Sequence, residues 1–350
     1  MVTKNKGEWG EFYTFLYLLA EGKLHQGDEN LKKIEGRYFN IEHIKKLGDH
    51  ANQVFYVMDN HIKSESIKLE RSIIANALPA VMKEIILGEG AFESAEAEAM
   101  ARLLGIDRIS APSHIKADME LSLTDKQKIT SQTHGFSVKT LLGGDSTLIN
   151  ASSHTKFTYK LKGFDSAKAQ QVNNINNGSK LRSRIKSLLF DDSILVAYHR
   201  MNSNHYRHNL RKIDSSLDKI LANVLLFAHA TGTKMLKDIV EDKDNYISSP
   251  LDLEKDQVIY KLREYLTVSS LGMQPKKKWN GETDVDGGII MLTAEGEVLA
   301  YFLFDPVRFK KYLWDVSYIE TPSMSRYDYG YCYEQDGEWY FDIVLQIRNK

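Results

Sequence analysis

Two short stretches, IKADMELSL (residues 115–123) and KITSQTHGFSVKT (residues 128–140), decide how this chain folds. The first alternates apolar and polar side chains, the period of a strand, and the second ends on the apolar run Gly135-Phe136-Ser137-Val138, so both read as strands. The polar TDKQ between them (124–127) reads as a short turn, so the two are predicted to pair antiparallel. Residues two apart share a face of a strand, which puts Asp118 with Lys116 and Glu120, and Ser137 with Lys139. If the strands pair, Asp118 and Lys139 converge on one spot. A carboxylate beside an ammonium suits phosphodiester hydrolysis: the carboxylate holds a hard Mg2+, and the ammonium positions the attacking water and offsets developing charge. Cross-strand Asp/Lys pairs are also common surface features, so the chemistry needs further support.

Upstream, GEWGEFYTFLYLLAEGKL (7–24) carries Trp9, Phe12, Phe15, Leu16 and Leu19 at helical spacing. At 100° per residue Glu8 falls within that apolar face and Glu11 at its margin. A carboxylate turned toward a core is costly unless it is paired or binds a cation, although Glu8 can instead cap the helix N-terminus. GRYFNIEHIKKL (36–47) and NQVFYVMD (52–59) read as strands, Ser64 to Leu87 as a helix with a kink or break at Pro79, and Ala91 to Leu104 as a short helix.

Downstream, GGDSTLINASS (143–153) reads as a loop and TKFTYKLKG (155–163) as a strand. Helical stretches follow around Ala167 to Asn174 and Leu181 to Phe190, then a strand at Ile194 to His199 and a helical pattern from Asn209 to Leu271. PKKKWNGETDVDGG (275–288) is a loop in which Asp284 and Asp286 form a turn rather than a calcium site, because the glutamate that closes such a site is missing. IIMLTAEGEVLAYFLF (289–304) reads as a hairpin turning at Glu295-Gly296, with a last strand at Trp339 to Arg348. The order is mixed α/β, predicting a mixed β-sheet flanked by helices, with a helical and β-rich C-terminal region.

With 42% hydrophobic and 27% charged residues, the 350-residue chain is that of a folded globular protein. No run of about 18 apolar residues and no signal-peptide pattern occurs, so a cytoplasmic location is expected and a membrane partner is not. Cys332 is the only cysteine, and His199, His205 and His208 lack close Cys or carboxylate partners, so any metal is expected on oxygen ligands rather than as zinc on thiolates. The net charge of −1 hides an uneven distribution: residues 160–212 hold eleven Lys and Arg against three Asp and Glu, a local surplus of eight. Such a segment is a candidate phosphate-binding face, or a solvated helical surface. Walker A, GxSxG and dinucleotide fingerprints are missing.

Several separated stretches together resemble the HpaII-type restriction endonucleases: KGEWGEFYTFLYLLAEGKL (6–24), GFSVKTLLGGDSTLINASSHTKF (135–157), DVDGGIIML (284–292), IETPSMSRYDYG (319–330) and VLQIR (344–348). The resemblance runs nearly the full length. It implies a PD-(D/E)xK nuclease core, in which a first Asp and a later acid-x-Lys tripeptide bind Mg2+ on neighbouring strands. Asp118 falls on the metal-binding Asp and Lys139 on the lysine, but Ser137 stands where the acid belongs. The missing carboxylate is then expected from Glu120, from Gln132 as a substitute ligand, or from the first helix. Glu11 is favoured, with Glu8 next, making Asp118 and Glu11 the metal ligands.

The loop after Lys139 could present Ser146, Thr147 and Asn150 to DNA, and Arg182, Arg184, Arg200, Arg207 and Arg326 are candidate DNA contacts. The resemblance implies a nuclease core over residues 1–200 and a C-terminal region, 201–350, for DNA recognition or dimerisation, packed with the core as one unit. The expected activity is that of a Mg2+-dependent type II restriction endonuclease cutting double-stranded DNA at a short site, with CCGG as a family-based example, and leaving 5'-phosphate and 3'-hydroxyl ends. A homodimer is expected, since two-fold symmetry serves a palindromic site, and a cognate DNA methyltransferase is implied as the partner activity. The rivals are a structure-specific repair nuclease and a non-catalytic DNA-binding protein on the same fold.

Overall fold

The strands Met119–Thr124 and Ser131–Thr140 pair antiparallel, with Met119 opposite Phe136 and Thr124 opposite Ser131. The computed structural model describes residues 2–28, 30–47, 53–109, 117–124, 131–242, 251–283, 285–301 and 305–350. Lys116, residues 125–127 of the expected turn, and Asp284 lie outside the described residues. Alternation works as the sequence implies: Met119, Leu121, Leu123, Phe136 and Val138 enter one buried core.

By compactness the chain divides into two units that interleave in sequence: residues 1–146, 270–272 and 283–309 form the first, and residues 147–269, 273–282 and 310–350 the second. These limits differ from the functional boundary drawn near residue 200.

The first unit is built on a nine-stranded mixed sheet. Ser131–Thr140 pairs in parallel with Gly288–Leu292, which turns back antiparallel into Val298–Tyr301. Val298–Tyr301 lies parallel to Lys23–Gly27, Lys23–Gly27 antiparallel to the long strand Lys33–Lys46, and that strand antiparallel to Met119–Thr124. These pairings close a circuit. Val54–Val57, His61–Lys63 and Lys68–Glu70 continue the sheet from Lys33–Lys46.

Helix α1 (Lys6–Glu21) packs on this sheet through Trp9, Phe12, Phe15, Leu16 and Leu19, all essentially unexposed. Each buried aromatic of that kind contributes roughly 1.5–3 kcal/mol. Phe15 meets Phe55 edge-on at 5.4 Å. Gly10 allows the close approach: a β-carbon there would lie 3.1 Å from Thr140, the residue after Lys139. The helix stops at Gly22, whose φ of 64° suits glycine and whose N–H returns to Leu18 C=O. Arg71 donates two hydrogen bonds to Ala20 C=O at the same end. Helix α2 (Arg71–Leu87) begins seven residues later than expected, because His61–Lys63 and Lys68–Glu70 form a small hairpin first. It runs through Pro79 without ending there. Helix α3 (Ala95–Leu103) starts on the Ser94 cap.

The second unit holds a four-stranded antiparallel sheet in the order Leu195–Met201, Lys156–Lys162, Glu338–Val344, Cys332–Gln335. A three-stranded sheet joins Ser146–Ile149, Ile347–Asn349 and Ser317–Ile319, so the expected loop at 143–153 contains a strand and the expected last strand is two. The helix Leu217–Thr231 is apolar nearly all round and buried accordingly, and Tyr159 anchors it by donating its hydroxyl to Ala222 C=O at 2.6 Å.

Candidate active site

Asp118 stands one residue before its strand and extends the ladder, its N–H donating to Phe136 C=O at 2.8 Å. Its carboxylate Oδ2 accepts from Val138 N–H at 2.6 Å and from Ser137 Oγ at 3.2 Å. Ser137 therefore acts on Asp118: its hydroxyl helps fix the carboxylate, while a neutral serine supplies no charge of its own to a cation.

The second acid of the cluster is Glu11. Burial, with the Asp118 carboxylate next in importance, pushes its carboxyl up to about 8, while Lys139 and Lys46 pull in the opposite direction. Glu11 and Asp118 line one cavity of about 10 Å³ together with Phe15, Lys46, Ile109 and Met119. That volume admits a single water-sized occupant. Two carboxylates facing such a space repel each other until a proton or a cation sits between them.

Glu8, one turn earlier, has a different task. Asn5 Oδ1 accepts from Glu8 N–H at 3.0 Å and the Glu8 carboxylate accepts from Asn5 N–H at 3.1 Å, a reciprocal cap to which Lys4 adds an ion pair at 2.8 Å. Glu120 pairs with Lys45 across the strand register at 3.1 Å, and Gln132 lies opposite Leu123 on an exposed stretch. Glu120→Gln is accordingly expected to leave any cleavage rate within about threefold of the parent in a single-turnover assay, since a partly exposed pair contributes only about 0–1 kcal/mol.

Lys46 escaped the sequence reading. It is 5% exposed, and its ammonium donates to Arg108 C=O at 2.8 Å. The available signal was its phase: Lys46 is two residues from the fully buried Ile44, so it is a charge on the core face of its strand.

A metal would fit this arrangement in one particular way. Among the described residues no three His, Cys, Asp or Glu side chains group closely enough to hold an ion by themselves. Two carboxylates, with water and a substrate phosphate completing the shell, is the habit of Mg2+ rather than of zinc. Cys332 is buried and its thiol is pushed up to about 12 by burial, so it offers no thiolate.

The expected DNA-contact residues scatter in role. Ser146 and Thr147 are half-buried on their strand and Asn150 is exposed just beyond it. Arg182 donates to Ala230 C=O at 3.2 Å and to Thr231 C=O, at the end of the Leu217–Thr231 helix. Arg207 shares the Asp218 carboxylate with Arg211, Arg200 donates to Gln335 at 3.3 Å, and exposed Arg326 lies over the Tyr327 ring. Arg184 corrects the expectation: it is 2% exposed and donates to the carbonyls of Asn173, Ile175 and Gly330. It holds the interior together instead of facing a ligand. Arg184→Ala would leave these carbonyls unpaired and is expected to lower unfolding free energy by roughly 3–5 kcal/mol in a urea titration.

The site thus gathers two acids and two lysines beside α1 on the nine-stranded mixed sheet. The family model for the HpaII restriction endonuclease matches residues 5–349. The chain belongs to the HpaII restriction endonuclease family. It is similar to the Type II restriction enzyme HpaII of Haemophilus parainfluenzae, 28% identical over 355 aligned positions that cover 98% of each chain. No solved structure matches it. Among the described residues no helix is long and apolar enough to cross a membrane.

Proposed function

We propose that this protein is a type II restriction endonuclease with a PD-(D/E)xK-type core, hydrolysing double-stranded DNA at a short specific site in a Mg2+-dependent reaction. The observation that supports it best is the convergence of Glu11 on Asp118, with Lys139 in the same electrostatic field. Glu11 then fills the acid role that Ser137 leaves vacant, which favours an enzyme over a non-catalytic DNA-binding protein.

Asp118 and Glu11 would hold Mg2+, whose charge offsets the build-up on the phosphoryl oxygens. Asp118 is pre-oriented for this by Val138 N–H and Ser137 Oγ. Lys139 orients the attacking water and stabilises the equatorial oxygens as the water oxygen bonds to phosphorus. The bond from phosphorus to the 3'-oxygen breaks, that oxygen takes a proton, and the ends are 5'-phosphate and 3'-hydroxyl. A two-fold dimer would place one such site on each strand of a palindrome, and a methyltransferase of matching specificity would protect the host DNA.

Cleavage of plasmid DNA is expected in Mg2+ or Mn2+ and not in excess EDTA, with Ca2+ supporting DNA binding without efficient cutting. Undiminished cutting in EDTA would contradict the assignment.

A further inference from the structure

A cavity of about 520 Å³ belongs wholly to the second unit and has no part in the Glu11–Asp118 cluster. It lies where two distant stretches meet: the start of the helix Lys180–Leu189 and the segment Thr321–Ser325. Three cations line it, Lys180, Arg182 and Lys234, with Ser323 and Ser325 among several hydroxyls, and no described carboxylate joins the lining. Lys234 is itself exposed and meets Glu320, a half-buried carboxylate outside the lining, at 3.5 Å.

Two further features point the same way. The helix Lys180–Leu189 begins at this cavity, and Ser179 at its N-cap makes no side-chain cap; Lys180 N–H donates to Asn177 C=O at 3.1 Å, which leaves the next N–H groups of the first turn for another acceptor. His229, 7% exposed in the wall, has an Nε2 without a hydrogen-bond partner among the described residues. The floor is apolar, from Leu181, Ile319 and Met324. A lone phosphate crossing a surface needs no hollow of this size, whereas one nucleotide unit fills it, with its base on the apolar floor and its phosphate toward the lysines.

We propose that this cavity is a nucleotide-binding site that takes one unit of a DNA strand, with the phosphate on Lys180 and Lys234 and the N-terminal turn of the Lys180–Leu189 helix. The DNA source rests on the nuclease reading above; the phosphate-ester chemistry does not.

The test uses the full-length protein and the variant Lys180→Ala/Lys234→Ala, whose folding is checked by thermal melting. In the first arm, affinity for a fluorescent duplex is measured without Mg2+ from 50 to 200 mM salt. Each phosphate contact contributes about 0.9 to the logarithmic salt slope, so the variant should lose about one to two units of slope and roughly tenfold in low-salt affinity. In the second arm, the four deoxynucleoside monophosphates and inorganic phosphate are titrated separately. A changed DNA slope supports the proposal with DNA as the source. An unchanged slope with saturable mononucleotide binding, lost in the variant, supports the chemistry with a free nucleotide as the source. A folded variant that matches the parent in both arms overturns it. If the parent itself binds no DNA, the nuclease reading fails and the second arm alone decides the cavity.

Discussion

Glu11→Gln is expected to abolish cleavage while making the metal-free protein more stable at alkaline pH. The carboxyl sits at about 8 in the folded chain against an ordinary value of 4.5, held there by burial and by Asp118. Between those values the unfolded chain has released the proton and the folded chain still holds it. Stability of the parent should therefore fall as pH rises through this window and level off only above the folded value, by up to about 1.4 kcal/mol per pH unit from this one group. Glutamine carries no charge at any pH and removes that slope. In EDTA at pH 8 the variant should be more stable by on the order of 1–3 kcal/mol, a few degrees in a thermal melt. In Mg2+ its single-turnover cleavage should fall at least ~10³-fold, because charge stabilisation by a bound cation is worth several kcal/mol. A variant that cuts normally would move the second acid elsewhere; one that loses stability at pH 8 would contradict the buried-acid assignment.

Lys139→Ala is expected to separate chemistry from binding. The side chain lies on the strand that holds Asp118 through Val138 and Ser137, and its charge reaches Glu11. Acting on the developing phosphorane charge, such an ammonium contributes roughly 3–4 kcal/mol, or ~10²–10³ in rate. Ground-state DNA binding depends on many Lys and Arg side chains and should stay within several-fold when measured in Ca2+. Equal loss of affinity and rate would make Lys139 an ordinary phosphate contact.

The Asp118 and Lys139 strands were legible because strand patterning and a polar turn are local signals, and their antiparallel pairing followed from them; the register, with Leu123 opposite Gln132, did not. Glu11 was legible as a charge at the margin of an apolar helix face. Lys46 was not, since its meaning depends on reaching Arg108 C=O more than sixty residues away. The hairpin Gly288–Tyr301 was recognisable as a hairpin, but its parallel pairing with Ser131–Thr140 joins segments about 150 residues apart, which no local period encodes. Arg184 misled for a similar reason: a guanidinium in a basic run looks solvent-facing until three carbonyls, two from residues 173–175 and one from Gly330, close on it.

The most direct test is digestion of a plasmid of known sequence by the purified protein in Mg2+, beside Asp118→Asn, with the fragment ends sequenced. Discrete fragments, every end at one short sequence with a 5'-phosphate, and none from Asp118→Asn, are the expected result. An intact plasmid under these conditions, or the same fragments from Asp118→Asn, would contradict it.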